Sequence, residues 1–513
     1  MTSEHTKSGH QPRGSADGTE VLVVGAGPTG LTLAAELLKS GTEVRVVDRA
    51  ERSNPHSKAI TLWPRALEAF AAVGAGDAIY ERGLKLRAAN YYAGTKLLNR
   101  LVFRPMPGTR YPYPLSLAQS ETEEFLRVAL AELGGKVEYG RRVRSVQAGP
   151  DQVNAVFEDG SSVLADWLVG CDGAHSTVRA EAGIAFEGAT YPQTFVLADG
   201  VYDTPLAHDE SYYFMGPKGV IVVVGLPDGL LRVFGAVAPD VPVTDALATV
   251  QQIVAERSPF PLRLVEARGS GVFQVHRRIA DRMRQGRILL AGDAAHIHSP
   301  AGGQGLNTSV QDSHGAAWRL AAIQRGTLPA SALDSWEAER LHVARHVVAD
   351  ADRQTRMWSV TGWRRRRRDL SLAVTSRVPA LAQRVPIGIS QLRLAYPNGE
   401  PGHPVLRPGS RLPDVALNGG RWLHDHLHSG RHLLLVSATD AEPARELLAR
   451  AAEAPVEVVQ VDDRILRALG VRTTLACLVR PDGVIAASGT LVDPAAAERL
   501  LARLPAGRPT LNV

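Results

Sequence analysis

Cysteine is almost missing from this sequence: Cys171 and Cys477 are the only two in 513 residues. Two thiols exclude a disulfide framework and any multi-cysteine metal site, so no metal is expected. They suit a reducing, cytoplasmic compartment. Aromatic residues are sparse as well, at 5% of the chain, so any cluster of them carries information. No apolar run reaches the roughly 18 residues that a bilayer span requires. The first 18 residues, MTSEHTKSGHQPRGSADG, hold no apolar core. That excludes a secretory signal there and predicts a disordered tail over 1–18. A strong excess of one charge is also lacking. Lys plus Arg is 58 against 53 for Asp plus Glu, and the five consecutive arginines at 364–368 account for the whole difference. Neither a nucleic-acid partner, which needs a broad basic face, nor a membrane partner is expected. What is present, 44% hydrophobic and 22% charged, is the balance of a globular protein with about two to four domains.

Organisation begins after the tail. Val21-Leu22-Val23-Val24 is a β-branched run without alternation, as in a parallel strand buried on both faces. It leads into Gly25-Ala26-Gly27-Pro28-Thr29-Gly30, then a stretch with helical apolar spacing ending near Gly41, then a second strand over 44–47 closed by Asp48. A lone G-x-G-x-x-G is weak, but strand, glycines, helix, strand and acid in this order make a dinucleotide site. Gly25 allows the tight turn, Gly27 lets backbone approach a pyrophosphate, and Gly30 lets helix and strand pack closely. The helix N-terminus offers N–H groups and a positive dipole end to phosphate. Asp48, 18 residues after Gly30, suits ribose hydroxyls. These residues alone leave NAD and FAD both open.

Two later segments add to this. One is Asp172-Gly173-x-x-Ser176-x-x-Arg179, after a strand ending at Gly170. The other is Gly292-Asp293-Ala-Ala-His296-Ile-His298-Ser-Pro300-Ala-Gly-Gly303-Gln-Gly305-Leu306-Asn307, after a strand over 288–291. With the first motif they appear in the order found in group A FAD-dependent aromatic hydroxylases, the flavoprotein monooxygenases of phenols and polyketides, which the chain resembles over about 19–395. The resemblance implies an α/β fold: a doubly wound FAD-binding domain (19–80, 110–180, 285–395) interleaved with a β-sheet substrate domain (81–109, 181–284). It places Gly25, Gly27, Pro28, Thr29 and Gly30 at the FAD pyrophosphate, with Asp48 and Arg49 at the adenosine end. Gln119, ahead of a helix, would contact the cofactor. Asp172 would serve FAD and NAD(P)H, and Gly292 and Asp293 the ribityl chain. Pro300 would line the reactive face, while Gly303, Gly305, Leu306 and Asn307 would surround the pyrimidine edge with backbone N–H donors, where a reduced flavin is negative. Arg179 stays open between a cofactor role and an ordinary salt bridge.

The implied activity is hydroxylation of a phenolic or polycyclic aromatic substrate, a polyketide above all, with NAD(P)H and O2, through a flavin C4a-hydroperoxide in a dry cavity. No second complete βαβ fingerprint follows, so NAD(P)H is expected to bind transiently. The catalytic base is not legible. Phenol hydroxylases carry an acid near 57–65, where this chain has Ala59-Ile60, a departure that favours the polyketide branch. Pro300 and His298 remain the catalytic candidates, although Gly-Asp-Ala-Ala-His recurs in the family as scaffolding, which favours a structural reading of both histidines. Tyr212, Tyr213, Phe214, Trp63 and Phe70 are candidates for an aromatic pocket, set against ordinary core packing. Baeyer–Villiger oxygenation, a flavin dehydrogenase and a non-catalytic flavin-binding scaffold are the rival readings.

A charged helix is expected from 331 to about 356. The arginine run after it reads as a solvated helix face or loop in preference to an acidic-partner patch. A linker is expected over 396–407. The segment 408–513 resembles the thioredoxin-like C-terminal domain of larger family members. It lacks C-x-x-C, so Cys477 is read as packing rather than redox; a homodimer is left open.

Overall fold

The computed structural model describes residues 18–53, 59–239, 241–360, 362–397, 400–437, 442–491 and 493–505. The expected tail lies outside these apart from Gly18, and so do Ser57 and Lys58. Gly18 opens β1 (Gly18–Val24), in which Val21, Leu22 and Val23 are wholly covered, the reason the strand shows no alternation. α1 (Pro28–Lys39) begins with proline in its first turn and is followed by Gly41 at φ 79°, a left-handed position that ends the helix. β2 (Val44–Val47) lies parallel to β1 on one side and β3 (Ser162–Gly170) parallel on the other. β4 (Ile288–Leu290) extends the parallel set beyond β3. The order β4-β3-β1-β2 means that connections leave β1 in opposite directions. A doubly wound sheet takes its ligand in the crevice at the carboxyl ends of such strands.

An eight-stranded second sheet is assembled from separated stretches of chain. Two 18-residue strands, Phe186–Asp203 and Arg263–Ala280, pair antiparallel, and Leu231–Val237, Gly219–Gly225 and Glu210–Gly216 follow outward. Ala88–Ala93 and Lys96–Val102 complete that edge. Side chains sort by alternation. Tyr213, Val222 and Val224 face a core containing Trp63, Phe103, Ala301 and Trp358, whereas Tyr212, Phe214, Ile221 and Val223 face the helix Ala246–Arg257. The five expected pocket aromatics therefore divide three ways, since Phe70 belongs to the core of the first sheet.

α2 (Gly305–Gln324) lies against α1, tied by Ser313 Oγ donating to Thr29 O (2.7 Å) and by His314 against Glu36 (2.7 Å). α3 (Ala332–Ser359) and α4 (Gly362–Arg377) follow, and the arginine run opens α4. In the C-terminal unit, His432–Val436 pairs parallel with Val456–Gln460 and antiparallel with Ala476–Val479, which pairs with Ile485–Gly489. This is the thioredoxin-like strand arrangement. Leu434 and Val436 face helices Glu442–Ala452 and Pro494–Arg503; Leu433, Leu435 and Cys477 face the other layer. Cys477 is fully covered and burial pushes its thiol up, consistent with packing. The described part of 396–407 is packed rather than a free linker: His403 and Leu406 are buried, and the Tyr396 hydroxyl accepts from Arg340 (2.9 Å). Among the described residues no helix is long and apolar enough to cross a membrane, and no three His, Cys, Asp or Glu side chains are grouped to hold a metal ion.

Candidate active site

The three glycines after β1 are required for different reasons. Gly25 sits at φ 107°, and a Cβ there would stand 2.3 Å from Cys171 O. A Cβ on Gly30 would stand 1.9 Å from Gly25 O, so helix and turn touch backbone to backbone. At Gly27 a Cβ would meet nothing within 4 Å. Packing thus accounts for the first and third glycines but leaves the middle one bordering open space. Asp48 braces the turn from β2: one carboxylate oxygen accepts from Ala26 N (2.7 Å), the other from Ala50 N (2.8 Å). Each oxygen retains a second lone pair. A cleft of about 320 Å³ opens here, lined among others by Gly25, Gly27, Asp48, Arg49, Glu123 and Asp172. Arg49 is exposed at its edge, while Pro28 is buried and Thr29 half-buried at the start of α1.

Gln119, at the head of the helix Gln119–Glu132, accepts from Ala59 N (3.2 Å) and donates to Glu123 (2.8 Å), whose carboxyl is raised by burial. Its side chain ties the segment before Ile60 to the cleft wall. Asp172 accepts from Ser176 Oγ (2.5 Å) and Val178 N (3.1 Å), bracing the short helix Thr177–Glu181; burial raises its carboxyl. Arg179 donates to Ala294 O (2.8 Å) and Ala174 O (3.0 Å) and stacks on Phe186. The expected alternative of a salt bridge is therefore replaced by carbonyl partners, which join the Asp172 turn to the turn after β4.

That second turn presses on α1: Gly292 has φ 64°, and a Cβ there would stand 2.7 Å from Thr29 Oγ1. Asp293 follows, exposed, in the turn Gly292–Ala294. Pro300, also exposed, precedes the turn Ala301–Gly303, and Gly303 N donates back to Pro300 O (3.0 Å). A Cβ on Gly303 would come within 2.7 Å of Thr61. α2 starts at Gly305, where the first N–H groups, including those of Leu306 and Asn307, have no intrahelical acceptor. The Asn307 side chain is spent on protein backbone: it donates to Thr61 O (2.9 Å) and Gly303 O (2.7 Å) and accepts from Trp63 N (2.6 Å). Only its backbone N–H is left to face a ligand.

The two histidines separate cleanly. His296 is buried against Asp312 (2.7 Å), and Asp312 also holds Arg340 (2.6 Å) and Gly292 N (2.9 Å), a structural cluster. His298 places Nδ1 2.8 Å from Ser299 O, so Nδ1 carries the hydrogen. Its Nε2 is then an acceptor, buried and without a hydrogen-bond partner. Burial lowers its pKa to about 4, keeping the ring neutral. A Cβ on Gly305 would lie 3.7 Å from that Nε2, which places the orphaned acceptor at the N-terminus of α2.

Residues outside the glycine motifs hold this loop. Trp63 donates from Nε1 to Gly302 O (3.0 Å) and meets Phe103 edge-on at 5.9 Å. Gln391, buried at φ 63°, donates to Thr308 Oγ1 (2.8 Å) and accepts from Gln311. Backbone held in the left-handed region by a non-glycine residue is strain that surrounding bonds must offset. On the facing sheet, Tyr91 and Tyr213 stack at 4.8 Å, with Trp358 6.0 Å beyond. Burial pushes both phenols up, Tyr213 to about 12.

Known proteins resemble this chain over both of its units. An FAD binding domain family matches residues 18–351, and an aromatic-ring hydroxylase C-terminal family matches 405–509. The 6-methylpretetramide 4-monooxygenase of Streptomyces rimosus is 33% identical, with 92% of this chain and 91% of that protein aligned. The pentachlorophenol 4-monooxygenase of Sphingobium chlorophenolicum is 30% identical over 84% of this chain and 82% of its own. The crystal structure of CabE, an aromatic hydroxylase from angucycline biosynthesis, superposes with a TM-score of 0.78 at 30% identity, covering 92% of this chain and 96% of that one. Both halves of the molecule, in their order and over nearly their full length, place this chain in the family of FAD-dependent aromatic-ring hydroxylases.

Proposed function

We propose that this FAD-dependent monooxygenase hydroxylates a fused-ring phenolic substrate, a polyketide, held between the Tyr213 face of the second sheet and the loop 299–305. The observation that carries the reading is the buried, unpartnered Nε2 of His298 at the N-terminus of α2, beside a loop whose Ala301 belongs to the same apolar core as Tyr213, Trp63 and Trp358. The residues present fit FAD. Gly27 borders open space where a pyrophosphate needs backbone approach, and Asp48 keeps lone pairs toward the cleft. Gly25, Pro28, Thr29, Gly30 and Arg49 would complete the nucleotide end, with Gln119 and Asp172 on its walls. Gly292 and Asp293 would take the ribityl chain, and the backbone N–H groups of Gly305, Leu306 and Asn307 the ring's polar edge, where the helix N-terminus favours negative charge; Gly303, whose N–H is engaged by Pro300 O, would border that edge without donating to it. Bound FAD supplies hydride acceptance from NAD(P)H and activation of dioxygen.

The protein's share is to position and to keep dry. Trp63, Asn307 and Gln391 fix the loop; the exposed Pro300 would border the flavin ring; His298 would accept the phenolic proton's hydrogen bond, making the substrate's ring carbon more electron-rich. Relatives whose names specify 6-methylpretetramide and pentachlorophenol bracket the substrate size, and the first of them, aligned over more of this chain, favours the larger end. The test is NADH- and NADPH-driven turnover of the holoenzyme with a panel of phenols and anthraquinones, comparing the parent with His298→Ala. The parent is expected to add one oxygen atom to a fused-ring phenol. The variant is expected to hydroxylate it at least tenfold more slowly, with more of the reducing equivalents lost as hydrogen peroxide. Stoichiometric peroxide from the parent with every compound overturns the substrate reading. An unchanged variant overturns the role of His298.

A further inference from the structure

We propose that α4 is an interfacial helix that seats the enzyme on an anionic lipid surface. Its sequence is GWRRRRRDLSLAVTSR; Arg368 is buried and Leu372 packs against the core of the second sheet, while most of the remaining side chains are exposed or half-exposed. At the ~100° step of an α-helix, Trp363, Leu370 and Val374 point within about 40° of one another. All three face solvent: Trp363 is 62% exposed, Leu370 64% and Val374 46%. Arg366 and Arg367 flank this stripe on opposite sides.

The arginine run divides by the same geometry. Arg368 turns inward, pairs with Asp369 and donates to Met357 O (3.0 Å), so it fastens the helix to the protein, while Arg365 is partly exposed and pairs with Asp369 within the helix. Arg364, Arg366 and Arg367 are exposed and form no ion pair among the described residues. Arg364 and Arg367 lie over the Trp363 ring, at 5.7 and 5.4 Å. A solvated helix face, the bland expectation for a charge run, does not present a tryptophan, a leucine and a valine outward in one line. An apolar stripe with tryptophan, bordered by guanidinium groups, is the pattern of a helix lying in the plane of a headgroup layer. The guanidinium groups bind phosphate bidentately while the apolar side chains enter the acyl boundary.

Charge decides against a second copy of this chain, which would set unpaired arginines against unpaired arginines. The stripe stands on a convex helix rather than in a groove, which favours a surface that can deform around it. The expectation of no membrane partner is revised accordingly: a peripheral helix requires no spanning run, and its signal lies in the direction of side chains, which composition hides.

The test is co-sedimentation of the holoenzyme with vesicles of phosphatidylglycerol and phosphatidylcholine at low salt. Binding is expected to anionic vesicles, at least tenfold weaker to pure phosphatidylcholine, and reduced by added salt, because exposed charges are screened. A triple variant, Arg364→Gln, Arg366→Gln and Arg367→Gln, is expected to bind at least tenfold less tightly. A double variant, Trp363→Ala with Leu370→Ala, is expected to lose binding even at low salt. Both should keep their FAD, which shows them folded. No binding to anionic vesicles overturns the proposal, including the case in which an acidic protein takes the same face, as does binding that both variants retain.

Discussion

Gly27 and Gly30 differ by three positions and, in this structure, by what a single methyl group would touch. At Gly30 the added Cβ meets the Gly25 carbonyl at 1.9 Å; at Gly27, where φ is −76°, it meets nothing within 4 Å. Gly30→Ala must therefore push α1 off β1, an overpacking cost of roughly 1–3 kcal/mol or more. Gly27→Ala places its methyl in the space that FAD needs. The expected outcome is a lowered melting temperature for the Gly30→Ala apoprotein. The Gly27→Ala apoprotein should melt as the parent does but bind FAD at least tenfold more weakly in a flavin titration. Equal melting temperatures for both apoproteins would contradict this division. The motif was legible because its spacing encodes covalent necessities of a turn. The orphaned Nε2 of His298 was not, since it depends on where Ser299 O falls and on a burial that the local sequence does not express.

At the scale of elements, the N-terminus of α2 is held from three directions. Asn307 clasps the strand at Thr61, Gln391 reaches Thr308 from beyond α4, and Asp312 gathers His296, Arg340 and Gly292 N one turn further on. α1, β1, β2 and α2 were readable from periodicity and glycines. The clamp was not, because its members lie tens to hundreds of residues apart. Asp312 and Arg340 are both fully buried. Burial alone would raise the Asp312 carboxyl, but the Arg340 guanidinium and His296 hold it below the usual carboxylate range. Removing the carboxylate strands a buried guanidinium, so Asp312→Ala is expected to cost about 3–5 kcal/mol, read as a lower urea midpoint. The pH sign follows from the lowered folded pKa. The pair's contribution is full above the ordinary aspartate range and lost as pH falls through the folded value. The gap between parent and variant should therefore narrow in acid; a gap that widens there would contradict the assignment.

At the scale of the whole molecule, the C-terminal unit is joined to the FAD-binding unit by buried charge. Glu68 lies between Arg65 (3.1 Å) and Arg411 (2.7 Å), and Glu339 between Arg319 (3.1 Å) and Arg480 (2.6 Å). No sequence pattern marks these as partners, since Glu68 and Arg411 are separated by most of the chain. Asp414 enters the same seam, accepting from His424 N (2.9 Å). Burial, with Glu68 nearby, raises its pKa to about 7, against ~3.9 in an unfolded chain. Between those values the folded protein keeps a proton that the unfolded chain has lost. Unfolding there releases a proton, and stability falls as pH rises, levelling off above about 7. Glu68 works in the opposite sense at lower pH: despite its burial, Arg411 and Arg65 help to hold it at about 2, so its contribution is lost only in acid. Asparagine at 414 keeps the oxygen that accepts from His424 and supplies an N–H where a neutral acid supplies O–H. Asp414→Asn is therefore expected to melt with the parent near pH 4 and several degrees above it at pH 8. A variant less stable than the parent at pH 8 would mean that the seam stabilises the ionised carboxylate of Asp414, holding its negative charge with the arginines there rather than penalising it.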